Sequence, residues 1–406
     1  MFITVLLAAT ATACGGSKGS RGSDGAPGSG GKSSTASGPQ VTITPADGVK
    51  KARPDQGVDI KTTGTLQNVT VTAGGKTVPG TLSADKTEWK STWTLTPGTA
   101  YQAAATAVDS KGKTSTANSA FHTLSTANPL RISWMLPGTG STVGIGMPII
   151  LQFNKPVQNK AAVERALVVR STKPVTGAWF WYSSTQLIFR TKNGTYWPAN
   201  QKVTVTAHMA GIKSGSSYGD TDVSHTYRIG DAHVITASAI THRLTVKDNG
   251  KVIRTWGVSM GTGGDVEKDG VDHLLTTSGI HLVMGHSRIE HMVSPGKKKG
   301  DPGYYEEDVP WASRISNSGE FIHQSMGDLG CLGRSNCSHG CVRSPEADAK
   351  WFFSWSMLGD VVNITGTKRQ LIWWNGWGYY QMPWATWVKG GALDRQIRTD
   401  GSSVTA

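Results

Sequence analysis

Short stretches of alternating apolar and polar residues, cut at close intervals by Gly, Pro and Asn turns, limit this chain to a mainly β fold. The 50 glycines and 17 prolines among 406 residues supply that punctuation, and long helices do not run through it. Between Val41 and Leu124, Gln40-Val41-Thr42-Ile43, Val69-Thr70-Val71, Trp93-Thr94-Leu95 and Tyr101–Val108 read as strands. Ala73-Gly74-Gly75, Pro97-Gly98 and Ser110-Lys111-Gly112 are the turns between them. That rhythm argues an immunoglobulin-like β-sandwich over 41–125. It contains no cysteine pair, so its apolar core alone must stabilise it.

Residues 129–230 repeat the theme in a different sequence. Pro137-Gly138-Thr139-Gly140 is a turn and Ile149–Phe153 a buried strand, while Ala161–Leu167 reads as a short helix with Glu164 and Arg165 outward. Trp179-Phe180-Trp181-Tyr182 reads as a strand that fills a core in preference to a carbohydrate platform. From Ala232 a further domain begins and extends to residue 366. Its strands are Arg243–Val246, Lys251–Trp256, Val258–Gly261 and Gly279–Met284, with a turn at Asp248-Asn249-Gly250. Residues 285–303 read as a long polar lid without regular structure. Pro345–Met357 is the principal helix, with Ser344 as its cap, and Val361–Ile364 returns to the sheet. Residues 367–394 carry Trp373, Trp374, Trp377, Trp384 and Trp387; packing is favoured over glycan stacking for them. Residues 395–406 read as a disordered tail.

At the start, Phe2–Ala9 is apolar and Ala11-Thr12-Ala13-Cys14 leads into a Gly/Ser-rich run. This reads as a lipoprotein-type signal over 1–14 with Cys14 as the lipidated residue. Two features depart from that pattern: no Lys or Arg precedes the apolar run, and Ala11 stands where Leu is usual. A plain signal peptide is the alternative. Residues 15–40 are a polar tether. The net charge of +13 is spread over a chain with only 17% charged residues, which fits an exported surface; solubility is the plain reading of the charge and attraction to an anionic wall the functional one. No motif or basic helix supports nucleic acid as a partner.

The chemistry gathers between Glu320 and Arg343. Phe321-Ile322 delivers His323 from a strand, a Gly/Ser-rich loop follows, and Ser338-His339-Gly340-Cys341 turns the chain back. A free thiol is mostly protonated at neutral pH, so it needs a base close in space to become a strong nucleophile. His339 reaches Cys341 only if the turn curls tightly; His323 arrives from another strand and can face the sulfur. Backbone N–H groups of the turn, with Gly340 permitting its shape, are candidate oxyanion donors. A zinc site at His281, His286 and His291 is disfavoured, because odd spacing alternates faces along a strand. There is no H-E-x-x-H.

The upstream His with S-H-G-C-x-R resembles the signature of the bacterial L,D-transpeptidases, cysteine enzymes that make 3→3 peptide cross-links in peptidoglycan. Gly303-Tyr304-Tyr305, Trp311-Ala312, Ile315-Ser316, Ser318-Gly319 and Trp351-Phe352-Phe353 extend the likeness to the multidomain members, over about residues 40–395. The resemblance implies two immunoglobulin-like β-sandwiches, then a β-rich catalytic domain with one principal helix and a Trp-rich C-terminal subdomain. It implies Cys341 as nucleophile and His323 as base, with a thiolate–imidazolium pair between them and a backbone carbonyl near Gln324 fixing the imidazole tautomer. Met284 and Tyr305 are expected to line the substrate cleft, Tyr305 also as an oxyanion donor, with Ser338, His339 and Gln324 around it. Arg343 is expected either to bind a substrate carboxylate or to brace the loop.

No metal or cofactor is required. Peptidoglycan stem peptides are the expected substrates, carbapenem-type β-lactams the expected inhibitors, and a membrane lipid anchor facing the cell wall the expected location. With Cys14 and Cys341 so assigned, Cys331 and Cys337 are expected as a disulfide worth about 2 kcal/mol, against two free thiols. A Cys337–Cys341 bridge would consume the nucleophile. Hydrolysis of stem peptides by the same thiol, and a non-catalytic wall-binding lipoprotein, are the rival functions.

Overall fold

The computed structural model describes residues 38–404 apart from 267–269, 295, 302–303 and 328. The signal-type segment with Cys14 and most of the following tether lie outside the described residues. Everything described is dominated by short strands, as the turn-rich sequence requires.

The first unit packs two four-stranded sheets. One runs in the order Val41–Thr44, Asp59–Thr62, Glu88–Ser91, Gly80–Leu82; the other Lys76–Thr77, Thr65–Ala73, Ala100–Val108, Thr114–His122. Along Ala100–Val108 the side chains of Tyr101, Ala103, Ala105 and Ala107 point into the core, the period-two pattern of a half-buried strand. They meet Ile60, Leu66, Val71 and Trp89. The second unit repeats the two-sheet plan. Gln201–Ala207 lies between Val223–Ile229 and Leu167–Ser171, and Gln186–Thr191 between Thr176–Trp181 and Ile149–Phe153. Trp179 and Trp181 are buried in it, while Tyr182 stays exposed, so the aromatic run is core first.

Three expectations change here. The short helix forms at Lys160–Arg165, but Glu164 is buried and not outward. Its carboxylate accepts Trp181 Nε1 at 2.7 Å and the backbone N–H groups of Ala392 and Leu393. A charge in a short helix reads as exposed unless its partners are seen, and those partners lie far along the chain. The tail is not disordered over its described part. Ile397–Arg398 pairs with Thr176–Gly177 at the edge of the second sandwich. Thr399 is fully buried, with its hydroxyl shared by Ser171 and Val175. A polar segment can dock this way because an open sheet edge asks for backbone N–H and C=O groups, not apolar side chains. The lid is not structureless either: Gly285–Val293 and Glu306–Arg314 form a long antiparallel hairpin.

From His233 two further sheets carry the cavity described below. One has the order Lys251–Gly257, Arg243–Asp248, His233–Ser238, Val361–Thr365, Gly279–Leu282; the other Gly285–Val293, Glu306–Arg314, Phe321–Gln324, Val342–Ser344. Asn249 and Gly250 both have positive φ, as a two-residue hairpin turn demands. Val258–Gly261 is not a continuous strand. It makes isolated bridges from Ser259 to Arg343 and from Gly261 to Ser338, tying it to the Ser338–Cys341 turn. The helix spans Glu346–Trp355 with Pro345 at its cap position. Ser344 belongs to the preceding strand, and its hydroxyl accepts Trp256 Nε1 at 3.0 Å in place of capping.

The units are joined by close contacts. A side chain at Gly144 would put Cβ 2.3 Å from the Asp360 N–H, and Gly144 donates to the Leu358 carbonyl at 2.8 Å. The Trp-rich segment bridges the second sandwich and the following sheet. Trp387 is fully buried and donates to the Ala178 carbonyl at 3.0 Å, while Gln381 accepts the Ile280 N–H at 2.9 Å.

Candidate active site

Strands Phe321–Gln324 and Val342–Ser344 run parallel, with Ile322 opposite Val342 and His323 opposite Arg343. Side chains alternate along each strand, so His323, Arg343 and Cys341 belong to one face. All three line one cavity of about 470 Å³, together with Tyr305, His339 and Gly340. The sheet thus sets His323 and Cys341, expected from the sequence to act together, on the wall of one cavity.

The thiol is partly exposed in the cavity wall. Its sulfur donates to the Gly319 carbonyl at 3.5 Å and accepts the Phe321 N–H. His323 Nδ1 lies 2.6 Å from the Gln324 carbonyl. A carbonyl only accepts, so Nδ1 carries the proton and Nε2 keeps a free lone pair. The resting charge state differs from the expected ion pair. Burial pushes the Cys341 thiol up to about 12, and the Glu320 and Glu307 carboxylates add to this; the Phe321 N–H and Arg314 only partly oppose it. Burial pulls the His323 imidazole down to about 4 against its Gln324 hydrogen bond, with Arg343 pulling the same way. Both groups therefore rest neutral, because each charged form would lose its hydration.

The turn is held rigidly. Ser338 Oγ donates to the Cys341 carbonyl at 2.7 Å and accepts the Gly340 N–H at 3.2 Å. Gly340 has φ +127°, a backbone shape that disfavours a side chain, and its carbonyl accepts Thr276 Oγ1 at 2.7 Å. The N–H groups of His339 and Cys341 have no acceptor among the described residues, so two donors remain for an oxyanion and Gly340's is engaged. The His339 ring stacks on Tyr305, centroids 4.9 Å apart, rather than on the thiol. Burial, then the charges of Cys341 and Glu307, push the Tyr305 hydroxyl up to about 12, which keeps it a donor.

Arg343 donates to Ser325 Oγ at 3.0 Å and to the Met326 carbonyl at 2.6 Å, which is bracing geometry. Cys331 and Cys337 are paired as a disulfide with Cα atoms 6.4 Å apart, and Cys341 is free. Cys337 forms part of the cavity wall. Two expected lining residues are placed differently. Met284 does not line the cavity; its sulfur packs against Gly376 of the Trp-rich segment, and Met292 of the hairpin lines it instead. Gln324 contributes its carbonyl to His323, not a side chain to the cavity wall.

Sequence reasoning missed the carboxylate beneath the thiol. Glu320 is 3% exposed and lies between the two residues whose backbones hold the sulfur. It accepts the Thr277 N–H at 2.6 Å and Thr277 Oγ1 at 2.8 Å, with His281 Nε2 at 3.7 Å. Burial would raise its pKa, but His281 and Thr277 outweigh it and hold the carboxyl lowered. The adjacent Thr276 fixes the Gly340 carbonyl, so one network sets both sides of the thiol. The only signal was a charge abutting an apolar strand. Glu320→Leu leaves the buried Thr277 N–H without its acceptor and takes the carboxylate away from the Thr277 hydroxyl and His281, which keep only each other and the Gly279 carbonyl, and a loss of about 3 kcal/mol is expected. Urea unfolding with unchanged m-value is the measurement; a shift under about 0.5 kcal/mol removes Glu320 from this role.

His281, His286 and His291 do not converge. Their partners are Thr277 and Gly279, Ser313, and Asp308 with Glu306. Among the described residues, Asp231, His233 and Asp248 could place ligand atoms near one cation. Their hydrogen bonds to Asn200, Asn249 and Asp360 already account for Asp231 and His233.

A bacterial immunoglobulin-like domain model matches residues 49–213, and an L,D-transpeptidase catalytic domain model matches residues 232–364. L,D-transpeptidase 2 of Mycobacterium tuberculosis is 30% identical over 390 residues, covering 94% of this chain and 92% of that protein. L,D-transpeptidase 5 of the same organism is 33% identical over 364 residues, covering 87% and 77%. A solved L,D-transpeptidase in complex with imipenem is 26% identical and covers 58% of this chain and 98% of its own, at a TM-score of 0.48. A 30% identity that runs nearly the full length of both chains and a catalytic-domain match that encloses His323 and Cys341 lead to one conclusion: this chain belongs to the L,D-transpeptidase family, with an immunoglobulin-like segment ahead of its catalytic domain.

Proposed function

We propose that the chain forms 3→3 cross-links between peptidoglycan stem peptides through a thioester on Cys341. The observation that carries this reading is a thiol and an imidazole on one face of two parallel strands, with the imidazole's Nδ1 locked and Nε2 free. His323 Nε2 takes the thiol proton as the sulfur attacks the carbonyl carbon of the third stem residue, a diamino acid. The developing oxyanion is met by the N–H groups of His339 and Cys341, with the Tyr305 hydroxyl as a further donor. The C–N bond to D-Ala then breaks, and its nitrogen takes the proton from His323. In the second half a side-chain amine of another stem attacks the thioester. His323 removes its proton and returns it to sulfur as the C–S bond breaks.

Concerted proton transfer suits a pair that rests neutral, since no charged group has to wait in a poorly hydrated wall. Arg343 and the Cys331–Cys337 loop hold the cavity's shape, and Ser338 holds the turn. The two sandwiches, 41–125 and 129–230, act as spacers that set the catalytic domain, 232–366, away from a lipidated Cys14 toward the wall. The reading therefore includes an extracytoplasmic location.

Incubation of the chain with a disaccharide tetrapeptide, followed by mass spectrometry, tests it. Cross-linked dimer and free D-Ala are expected. Tripeptide monomer without dimer would assign hydrolysis instead.

A further inference from the structure

The flap hairpin has two chemically different faces. Its register sets Met292 opposite Glu307 and His291 opposite Asp308, and side chains alternate across such a pair. Glu306 and Asp308 take the outer face, where they approach His291 at 3.4 and 2.9 Å. Tyr305, Glu307 and Val309 take the inner face and line the cavity with Met292. Glu307 is thus an exposed carboxylate on the flap side of the cavity, beside Met292, Tyr305 and Val309. Among the described residues it has no ion pair and accepts no hydrogen bond.

The cations around the same cavity are committed elsewhere. Lys297 pairs with Asp265 at 3.1 Å, Arg369 donates to the His273 and Leu275 carbonyls, and Arg343 braces Ser325 and Met326. Glu307 lies close enough for its charge to act on both Tyr305 and Cys341. An unpaired charge on a partly enclosed wall draws its complement. Of the species that enter the proposed reaction, the reacting carbonyl is neutral and so is water; the acceptor amine arrives as an ammonium.

We propose that Glu307 forms the acceptor subsite, its carboxylate holding the ammonium of the incoming amine beside the Cys341 thioester and so favouring amine over water. This rests on the cross-linking reading above. The balance is simple. The ammonium gives one proton to solvent by way of Glu307, and the resulting amine nitrogen bonds to the thioester carbon. His323 takes a second proton, the C–S bond breaks, and that proton ends on Cys341 sulfur. Thioester and ammonium become amide, thiol and one released proton.

The test uses the full chain with a tetrapeptide stem at fixed concentration as donor. A tripeptide stem, which can only accept, is varied as the amine. Hydroxylamine, a nucleophile uncharged at neutral pH, is varied in its place. In Glu307→Gln the KM for the tripeptide is expected to rise about tenfold, the loss of one charge-assisted hydrogen bond, while the KM for hydroxylamine moves less than about twofold. Glu306→Gln, whose carboxylate faces outward, shifts neither. Equal shifts for both nucleophiles, or none for either, overturn the subsite. A wild-type chain that shows no thioester mass with the tetrapeptide overturns the cross-linking reading and the subsite with it, and the two failures are read from different signals.

Discussion

Cys341→Ala is expected to abolish both cross-linking and covalent capture of a carbapenem, with turnover down by roughly 10⁴-fold or more. Cys341 is the free cysteine of the described chain, since Cys331 and Cys337 are paired. Among the described residues no other thiol therefore stands ready to take over. The substitution removes a single atom whose partners are the Gly319 carbonyl and the Phe321 N–H. Its cost to stability is about 1 kcal/mol, and an unchanged urea m-value shows that the variant is folded. Cys341→Ser keeps both hydrogen bonds but is expected to fail nearly as completely. An imidazole held near 4 is a weak base, and a hydroxyl is harder to deprotonate than a thiol. Intact-protein mass spectrometry after carbapenem treatment reads the result: one adduct on wild type, none on the Ala variant. An adduct that persists on Cys341→Ala would falsify the nucleophile assignment.

Much of this was legible in the sequence, and the parts that were not share a cause. The strands announce themselves through period-two burial, as along Tyr101–Ala107, and the Ser338–Cys341 turn through a compact motif. Even the tautomer lock was readable, because the backbone carbonyl of Gln324 follows His323 whatever its side chain. What failed was the outward placement of Glu164, and what went unread was the burial of Glu320. Glu164 and Glu320 are buried because partners distant in sequence satisfy them, Ala392 and Leu393 for one, Thr277 and His281 for the other. The hairpin of Gly285–Arg314 was hidden by the Gly- and Lys-rich turn at its centre, although its two strands pair over nearly their full length. Thr399 was read as tail because a strand that completes an edge needs no apolar pattern. Local patterning reports apolar burial; it is silent on buried polar networks, whose members are brought together only by the fold.

The second large effect concerns the base. His323→Gln keeps a side chain of similar reach but no titratable nitrogen, and acylation is expected to slow by about 10²–10⁴-fold. The pH profile separates the neutral pair from an ion pair. If Cys341 and His323 rested as thiolate and imidazolium, each charge would favour the other, His323 would titrate above its ordinary value, and the acid limb of activity would belong to the thiol. Instead burial holds His323 down to about 4 from 6.5, so the imidazole stays a competent base through mild acid. The acid limb of kcat/KM for wild type is expected near pH 4, not near 6.5.

Stability carries the same signature. Between pH 6.5 and 4 the unfolded chain protonates this histidine and the folded chain does not, so the unfolded state binds more protons. Stability must then rise with pH across that window, and fall as acid is added, by up to about 1.4 kcal/mol per pH unit for this one group. Above 6.5 both states are neutral and the dependence vanishes; below 4 both are protonated and the loss is complete. His323→Gln should flatten the curve between those limits while leaving the neutral-pH end nearly unchanged. Urea midpoints of wild type and variant at pH 4.5 and 7.5, compared as a double difference, read it directly. A variant as acid-labile as wild type would mean that His323 does not titrate from a buried neutral state, and the concerted proton transfer would lose its physical basis.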